Sequence, residues 1–375
     1  MRRHWHINGR YLTQPVTGVQ RYAHEIVAAL DTLLATAHPL ASDLELTLIA
    51  PAHITVPRLQ AIRHRIVRGG SGHGWEQLAL TAAAPRRLIS LCNTGPLAVR
   101  DQVVCIHDVN TRTCPESYAP AFRAFYRVLH PALGYTARHI ATVSDYSADE
   151  LARHRICRRD KIMVMPDGHE HAIRWKPVHS TRTAAAAGRR TILIIGSPAP
   201  HKNVDLILRL APDLAAAGLR VAVAGLRDAK VFNKTPGLRD AENVFWLGRI
   251  TNEELAALLP DCLCLAMPSF VEGFGLPALE AMALGCPVVV SDRASLPEVC
   301  GNAALYAAPT EPEAWLAHFV RLASDGALRQ TLVARGRAQA RRFSWMRSAE
   351  GWLAMMAQID GIPVRIPVEG TVLAT

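Results

Sequence analysis

The stretch 268–285 (PSFVEGFGLPALEAMALG) places two glutamates where they could hold a phosphorylated ligand. Seven residues separate Glu272 from Glu280, and Pro277 lies between them, where it predicts the first turn of a helix. The glycines on either side of Phe274 let a ligand approach the backbone, and the free amides of a helix start attract phosphate. We therefore expect an anion beside Glu272, with Glu280 a turn inside the helix. The turn residues assigned to this ligand are Phe274, Gly275 and Leu276.

Two further strand ends carry charged or titratable residues. The stretch 195–203 (IGSPAPHKN) ends a predicted strand and opens a helix, and it contains Lys202. A lysine in this position can neutralise a diphosphate as a point charge. In the first half of the chain, 105–108 (CIHD) ends a buried strand with His107 and Asp108. A titratable pair at such a strand end favours a functional role over a place in the core.

The elements that would position these residues are predicted from apolar periodicity. Strands alternate with helices, which is typical of a parallel sheet covered on both faces. Such sheets bind ligands at the carboxyl ends of their strands. Strands are predicted at 44–50, 88–92, 103–107, 191–195, 220–224, 244–246, 262–266 and 287–291. Helices are predicted at 25–34, 118–133, 147–154, 204–217, 252–259 and 277–284.

The chain of 375 residues is too long for one ordinary domain, and its pattern divides into two similar parts. A small, polar and charged stretch at 181–190 (TRTAAAAGRR) interrupts the pattern, as a linker would. We predict an α/β protein with two Rossmann-like, doubly wound domains facing across a cleft. The first would comprise residues 1–180 and the second 181–345, followed by a helix and tail in 346–375.

The net charge of +10 is concentrated in the first half. Residues 1–180 contain 22 Lys and Arg against 14 Asp and Glu, or +8, whereas 181–375 contain 20 against 18, or +2. The asymmetry indicates either an anionic partner, such as an acidic membrane surface, a diphosphate lipid or nucleic acid, or only an arginine-rich codon usage. The second explanation fits the fact that only five of the 42 basic residues are lysine.

Several classes of protein do not fit the sequence. No run approaches the roughly 18 apolar residues of a membrane span, and the basic start has neither the apolar core nor the cleavage site of a signal peptide. The eight cysteines form no CxxC pair, and no His-Glu-x-x-His spacing occurs. We therefore predict reduced cysteines in a cytoplasmic protein, with no structural or catalytic metal.

The stretch 268–285 resembles the E-x7-E signature of the GT4 family of retaining GT-B glycosyltransferases. The continuation 291–301 (SDRASLPEVCG) resembles the same family, and the likeness covers nearly the whole chain. The resemblance implies the GT-B fold and a nucleotide-sugar donor. It places Glu272 beside the donor sugar and Glu280 on the nucleotide ribose.

Other parts of a donor site follow from the same resemblance. Lys202 matches the lysine that holds the donor diphosphate in that family, but Ser197 stands where the family has an arginine. Whether Ser197 or the adjacent His201 replaces that arginine stays open. Gly18 resembles the glycine loop that contacts the donor phosphate or sugar, and Gly248 lies in a segment similar to the one that meets the base.

The resemblance also implies a mechanism. His107 would touch the transferred sugar, and Asp108 would orient it or meet the acceptor. Glu272 and His107 would hold the oxocarbenium-like sugar, while Lys202 and helix amides would stabilise the leaving diphosphate without a metal or another cofactor. Attack on the front face, with the departing phosphate taking the acceptor proton, would retain the anomeric configuration. The last helix would return to the first domain.

The expected substrates rest on resemblance and charge. The pattern is most similar to bacterial mannosyltransferases of exopolysaccharide and O-antigen assembly, which implies GDP-mannose as donor, with a UDP-sugar as the alternative. The basic first half and the basic, aromatic stretch 122–138 favour a polyprenyl-diphosphate-linked glycan at the inner face of the plasma membrane, and not nucleic acid. We interpret 69–74 (GGSGHG), which departs from G-x-G-x-x-G at Trp75, as a mobile loop on the acceptor side.

Two hypotheses from other classes stay open. Rossmann-like patterns also suit a nicotinamide-dependent oxidoreductase, but the first strand is followed by neither G-x-G-x-x-G nor its acidic partner. A non-catalytic partner subunit of the same fold is favoured by Ser197 in place of arginine. The joint presence of His107, Lys202, Glu272 and Glu280 argues against it.

Overall fold

The computed structural model describes residues 2–196, 199–225 and 241–364. Ser197, predicted to bind the donor, lies outside the described residues. The chain divides into two compact units. The first contains the residues up to Arg112, Pro120–Asp167 and the residues from Ser344 onward, and the second contains Thr113–Ala119 and Gly168–Phe343. The chain thus enters the second unit after Asp167, ahead of the boundary placed at 180/181 from the sequence.

The first unit is built on a parallel sheet of seven strands. They are β1 (Arg3–Asn8), β2 (Leu44–Pro51), β3 (Arg63–Val67), β4 (Leu88–Ser90), β5 (Gln102–Cys105), β6 (His139–Thr142) and β7 (Ile162–Val164). Their order is β3-β2-β1-β4-β5-β6-β7, so the winding direction reverses between β1 and β4. Such a reversal opens a crevice at the carboxyl ends of the two strands, where doubly wound sheets bind ligands.

Three main helices connect these strands. They are α1 (Gly18–Ala35), α2 (Pro120–Thr136) and α3 (Asp145–Arg153). In α1, Tyr22, Ile26, Leu30 and Leu33 are buried at intervals of three or four residues. This is the stripe by which an amphipathic helix packs on a sheet.

The first unit differs from the sequence prediction in four strands and one loop, since β1, β3, β6 and β7 were not predicted. β1 was missed because RHWHIN mixes basic and apolar residues, although Trp5 and Ile7 are fully buried on alternate positions as in a strand. The interpretation of 69–74 as a mobile loop is wrong at its end, where Gly72–Trp75 begin a helical segment. Glu76–Leu80 and Thr81–Ala83 continue this segment.

The second unit repeats the architecture with six parallel strands. They are β8 (Thr191–Ile195), β9 (Arg220–Ala224), β10 (Val244–Gly248), β11 (Cys264–Met267), β12 (Val288–Ser291) and β13 (Ala304–Ala307). Their order is β10-β9-β8-β11-β12-β13, so this sheet reverses its winding between β8 and β11. The predicted pair of doubly wound parallel sheets is therefore confirmed.

The stretch 181–190, predicted as a linker, is helical over Thr181–Ala186 and lies inside the second unit. The other main helices of this unit lie between or after its strands. They are α4 (Val204–Arg209), α5 (Ala211–Ala216), α6 (Asn252–Asp261), α7 (Leu276–Ala283), α8 (Leu296–Cys300), α9 (Pro312–Ser324) and α10 (Gly326–Ala340). The single helix predicted at 204–217 is divided at Leu210, since Pro212 has no amide hydrogen and begins a new helix.

The last described helix, α11 (Trp345–Ile359), packs on α1 within the first unit. Trp352 donates its indole N–H to the hydroxyl of Tyr22 at 2.9 Å. Just beyond the helix, the carboxylate of Asp360 accepts hydrogen bonds from Arg3 at 2.8 Å and from Trp5 at 2.9 Å. These bonds fix α11 to α1 and the residue after its end to β1.

Three structural findings bear on the excluded classes. All eight cysteines are free thiols, six of them buried. Across residues 2–196, 199–225 and 241–364, no helix is long and apolar enough to cross a membrane. Over the same ranges, no group of three or more His, Cys, Asp and Glu side chains is arranged to hold a metal ion.

Candidate active site

The carboxyl ends of β8 and β11 bring Lys202 and Glu272 together. The turn Pro200–Lys202 follows β8, and Glu272 lies in the loop that follows β11. The ammonium of Lys202 donates to both carboxylate oxygens of Glu272, each at 2.8 Å. Ser269 donates a further hydrogen bond to the same carboxylate at 2.7 Å. A buried carboxylate, Glu272, therefore lies where the sheet reverses its winding, and it is paired with Lys202, whose side chain is partly exposed to solvent.

The backbone of the loop after β11 is fixed by a serine and a glycine. The hydroxyl of Ser295 donates to the carbonyls of Glu272 at 3.0 Å and Phe274 at 2.8 Å. Gly275 has φ +103°, and a Cβ there would lie 2.7 Å from Cδ2 of Leu296, so only glycine fits. α7 begins directly after it. Pro277 has no amide hydrogen, and the amide of Ala278 donates to the carbonyl of Gly275 at 2.9 Å. The amide of Leu276, directly after the rigid turn, is therefore the one that this helix start can offer to a ligand.

Phe274 and Leu276 flank Gly275 and are both buried. The ring of Phe274 packs edge-on against Phe343, with the centroids 5.5 Å apart. Their side chains stabilise the loop, so any ligand would meet these two residues through their backbone atoms.

Glu280, in the second turn of α7, is held by a histidine that sequence reasoning missed. Nε2 of His171 lies 2.8 Å from Oε1 of Glu280, and both residues are buried. Because an ionised carboxylate only accepts hydrogen bonds, the proton of this bond is on Nε2 of His171. His171 comes from the short helix Glu170–Ile173, more than a hundred residues away in sequence, and no spacing rule connects it with Glu280.

His201 does not supply the charge of the missing arginine. It is buried, its Nδ1 lies 2.9 Å from the hydroxyl of Ser117, and its ring stacks over Tyr118. Burial lowers the pKa of His201, and the adjacent Lys202 lowers it further. The imidazole is therefore neutral at neutral pH, and Lys202 is the cation of this site.

Gly248 lies apart from these residues, at the end of the edge strand β10. Its φ is +65°, and its carbonyl accepts a hydrogen bond from the amide of Gly225 at 2.8 Å. Two strand spacings, or about 10 Å, separate β10 from β8. At that distance, Gly248 would meet a different part of an extended ligand from the part that lies near Lys202.

The first unit positions His107 as a neutral imidazole at the end of β5. Its Nε2 lies 2.9 Å from the carbonyl of Leu91, and Asn93 accepts its backbone amide at 2.7 Å. Burial lowers the pKa of His107 to about 4. Since a carbonyl only accepts, Nε2 carries the proton and Nδ1 keeps a lone pair.

Asp108 and Gly18 belong to the same unit. Asp108 accepts the amide hydrogen of Asn110 at 2.8 Å and so begins the short helix Asn110–Thr113. Gly18 is the first residue of α1, and a Cβ added there would meet nothing within 4 Å. The space above this helix start is open, so packing alone does not require the glycine.

A second buried carboxylate, Glu76, was missed by the sequence analysis. It is fully buried in the helical segment after Gly72 and accepts hydrogen bonds from Asn8 at 2.6 Å, Arg10 at 3.1 Å and Thr94 at 2.9 Å. These partners follow β1 and β4, the strands between which the first sheet reverses. The signal available in the sequence was the charged residue inside the mainly apolar run WEQLAL.

Comparison with known proteins identifies the family. A model of the family described as glycosyl transferases group 1 matches residues 177–339, which include Lys202, Glu272 and Glu280. Over 272 residues the chain is 34% identical to O-antigen chain mannosyltransferase B of Escherichia coli, covering 67% of this chain and 68% of that protein. The chain belongs to this family of glycosyl transferases.

Further relatives agree with this assignment. The glycosyltransferase is 27% identical over 226 residues to O-antigen chain mannosyltransferase RfbU of Salmonella typhimurium, covering 60% of this chain and 61% of that one. Its fold is similar to sucrose-phosphate synthase from Thermosynechococcus elongatus, with a TM-score of 0.71, 16% identity, and coverage of 96% of this chain and all of that one. At that identity, the likeness concerns the fold alone.

Proposed function

We propose that this glycosyltransferase moves mannose from GDP-mannose to a lipid-linked glycan acceptor in surface glycan assembly, with retention and without a metal ion. The observation that carries the proposal is the contact of Lys202 with both carboxylate oxygens of Glu272 at the strand ends of the second sheet. Mannose is favoured because two relatives bear the name O-antigen mannosyltransferase. A UDP-sugar is the alternative donor.

The leaving diphosphate is assigned to Lys202 and the start of α7. Transfer breaks the bond between the anomeric carbon and the donor phosphate oxygen, so negative charge grows on the diphosphate. A partly exposed ammonium and the amide of Leu276 stabilise that charge without reorganising during the reaction. The side chain of Lys202 is 27% exposed, which leaves its ammonium within reach of a ligand.

Front-face attack is favoured over a covalent intermediate by the state of Glu272. Its carboxylate already accepts three hydrogen bonds, two from Lys202 and one from Ser269. A carboxylate bonded in this way is a poor nucleophile, but it can stabilise positive charge on the sugar. In the proposed step, the acceptor oxygen bonds to the anomeric carbon on the face that the diphosphate leaves. The departing phosphate oxygen takes the acceptor proton.

Roles for Glu280 and His107 follow from their hydrogen bonds. His171 occupies one oxygen of Glu280 and fixes the carboxylate, which leaves the other oxygen to accept from a ribose hydroxyl. Nδ1 of His107 can accept a hydrogen bond from a hydroxyl of the transferred sugar. The neutral state of His107 avoids placing a positive charge beside an oxocarbenium-like sugar.

The alternative of a non-catalytic partner subunit rests on the missing arginine. His201 is neutral and adds no charge, so Lys202 would act alone among the described residues after β8. A subunit without catalysis has no need for an ammonium paired with a buried carboxylate at a ligand-binding strand end. We therefore favour the enzyme, with a weaker hold on the diphosphate than a lysine and arginine together would give.

The acceptor is assigned to the membrane surface because of the outer face of α2. Val128 and Tyr135 are exposed by 72% and 88%, and they lie two helical turns apart beside the exposed Arg127. Exposed apolar residues flanked by arginine suit an anionic lipid interface. We propose that the protein is cytoplasmic and binds the inner face of the plasma membrane peripherally.

The donor assignment is tested by thermal stabilisation against GDP-, UDP-, ADP- and dTDP-sugars, together with hydrolysis of the same donors. We expect GDP-mannose to raise the melting temperature and to be hydrolysed slowly. Lys202→Met should reduce both effects at least tenfold in nucleotide-sugar concentration or rate. Lys176→Met is the matched control, since Lys176 is exposed in the same unit.

Each outcome has a definite meaning. A selective response to a UDP-sugar would replace the donor, while stabilisation without hydrolysis or transfer would favour the partner subunit. If no nucleotide-sugar stabilises the protein at millimolar concentration, or if the two lysine variants behave alike, the donor site is not where we place it.

A further inference from the structure

Buried polar groups that the donor proposal does not use lie where the first sheet reverses its winding. Asn8 ends β1, and its side-chain amide donates to Ser90, the last residue of β4, at 3.2 Å. The same amide donates to Glu76 at 2.6 Å. The crevice expected at this winding reversal therefore has a built floor of hydrogen-bonded side chains.

The floor carries little net charge. Arg10, itself 6% exposed, pairs with Glu76 at 3.1 Å and donates to Thr94 at 2.7 Å. Burial alone would raise the pKa of Glu76, but the hydrogen bond from His73 and the charge of Arg10 outweigh it, so the pKa lies below its ordinary value. The carboxylate is ionised and its charge is cancelled by Arg10. No cation is left over from this pair for a phosphate.

An aromatic wall stands over the floor. The ring of His73 lies against Phe125 with centroids 4.6 Å apart, and its Nδ1 lies 3.3 Å from Glu76. Tyr126 contacts Phe125 at 5.3 Å and Phe122 at 4.6 Å. Aromatic faces beside neutral polar groups are the usual lining of a site for an uncharged, amphipathic ligand.

Tyr126 belongs to the wall. Its ring lies edge-on against His130, with the centroids 4.8 Å apart. Burial raises the pKa of its hydroxyl. Among the described residues the hydroxyl makes no hydrogen bond, although the ring is half-buried. A ligand hydroxyl would complete its hydrogen bonding.

We infer that this crevice binds an uncharged sugar unit, with Tyr126 and His73 as its recognition residues. A pyranose presents one C–H face for stacking on the aromatic wall and hydroxyls for Tyr126 and His73. The inference rests on the proposed function in one respect: the sugar is taken to be the terminal unit of the acceptor. The acceptor diphosphate would lie outside this crevice, since Arg10 is already neutralised.

The test uses p-nitrophenyl α-mannoside as a lipid-free probe and GDP-mannose as donor. Tyr126→Phe removes one hydroxyl and should raise the KM for the probe about threefold to tenfold, the range of one neutral hydrogen bond. Tyr126→Ala and His73→Ala should raise it more than tenfold. The KM for GDP-mannose and its hydrolysis rate should stay within twofold. His64→Ala, at an exposed position on β3 of the same unit, is the matched control and should change nothing.

Direct binding separates this inference from the proposed function. Saturation-transfer NMR of the probe needs no donor, so it gives a result even if the protein neither hydrolyses nor transfers GDP-mannose. We expect a signal with the wild type and with His64→Ala that is lost in Tyr126→Ala, and no competition by inorganic pyrophosphate. Failure of the wild type to bind the probe, equal binding by Tyr126→Ala, or displacement by pyrophosphate overturns the inference. Tyr126→Phe keeps the ring and guards against a folding defect.

Discussion

Individual side chains in this glycosyltransferase act in pairs that lie far apart in the sequence. Lys202 meets Glu272, His171 meets Glu280, and Arg10 meets Glu76. The sequence indicated the members of the first pair because each follows a recognisable strand end. It could not indicate that they touch, because a contact across the sheet leaves no spacing in the chain.

Breaking the pair of Lys202 and Glu272 should separate stability from activity. Lys202→Met leaves a buried carboxylate without its cation, and we expect a loss of about 1–3 kcal/mol in the free energy of unfolding, below the range for fully buried pairs because Lys202 is partly exposed. Adding Glu272→Gln should restore most of that stability but no transfer activity. Urea unfolding of the two single variants and the double variant measures the interaction energy between Lys202 and Glu272. If the stability losses of the two single variants add up to that of the double variant, the contact contributes nothing to stability.

His171 should affect nucleotide binding without touching the nucleotide. His171→Ala frees the carboxylate of Glu280 and should weaken GDP binding about tenfold, while His171→Gln, which retains an N–H donor, should recover part of it. Calorimetric titration with GDP measures both. A merely structural role would lower the melting temperature of both variants equally and leave the affinity of the folded protein unchanged.

Two buried histidines should make the protein sensitive to mild acid. Burial lowers the pKa of His107 and of His130 to about 4, from 6.5. Between these values the unfolded chain binds more protons than the folded one, so stability falls as pH drops from 6.5 towards 4. Each histidine contributes at most about 3 kcal/mol of this loss.

The measurement is the unfolding free energy as a function of pH. His107→Gln and His130→Gln should each lower the slope near pH 5 by about 1.4 kcal/mol per pH unit, and the double variant by twice that. Unchanged slopes would mean that these imidazoles protonate in the folded protein as easily as in the unfolded chain.

Strands and helices were easier to predict from the sequence than the tertiary contacts they make. Both parallel sheets and most of their strands follow from short apolar runs, since a strand buried on both faces needs little else. β1 was not predicted because it contains a buried arginine, Arg3, paired with Asp360, and so its sequence lacks a continuous apolar run. The break between α4 and α5 was signalled by Pro212, but periodicity alone carried the helix across it. Boundaries and buried polar residues are set by tertiary partners.

Two glycines at helix starts should respond in opposite ways to alanine. Gly275→Ala forces a residue with φ +103° against Leu296, and we expect a loss of about 1–3 kcal/mol of stability. Gly18→Ala meets no atom within 4 Å and should leave stability equal or slightly higher. If the donor approaches the backbone at Gly18, this variant should still raise the KM for GDP-mannose. A folded Gly18→Ala enzyme with normal donor kinetics would remove Gly18 from the site.

For the molecule as a whole, charge and apolar exposure coincide on the first half. Residues 1–180 carry +8 of the net +10, and the outer face of α2 exposes Val128 and Tyr135 among arginines. Codon usage explains arginine in place of lysine, but it does not explain why large apolar side chains remain in water on the same helix. The proposed binding to an anionic lipid surface would account for both, because basic residues are attracted to such a surface and apolar residues enter its interface.

This attraction predicts a specific pattern of membrane binding. Vesicles with anionic lipid should sediment the protein and neutral vesicles should not, and binding should weaken as salt rises, since arginine attraction is screened within about 10 Å at 0.1 M. Val128→Asp with Tyr135→Asp should lower the partition coefficient at least tenfold, because it removes two apolar contacts and adds two repelled charges. Tyr126→Ala should bind vesicles as the wild type does.

The two faces of α2 can therefore be separated by experiment. If the outer face binds lipid and Tyr126 binds sugar, the aspartate variant keeps its KM for the lipid-free mannoside and loses vesicle binding, and Tyr126→Ala does the reverse. Loss of both properties in either variant would indicate a damaged helix and not two surfaces. Equal vesicle binding by wild type and aspartate variant would reject the membrane role of α2 and leave the basic charge of the first half to a soluble anionic partner.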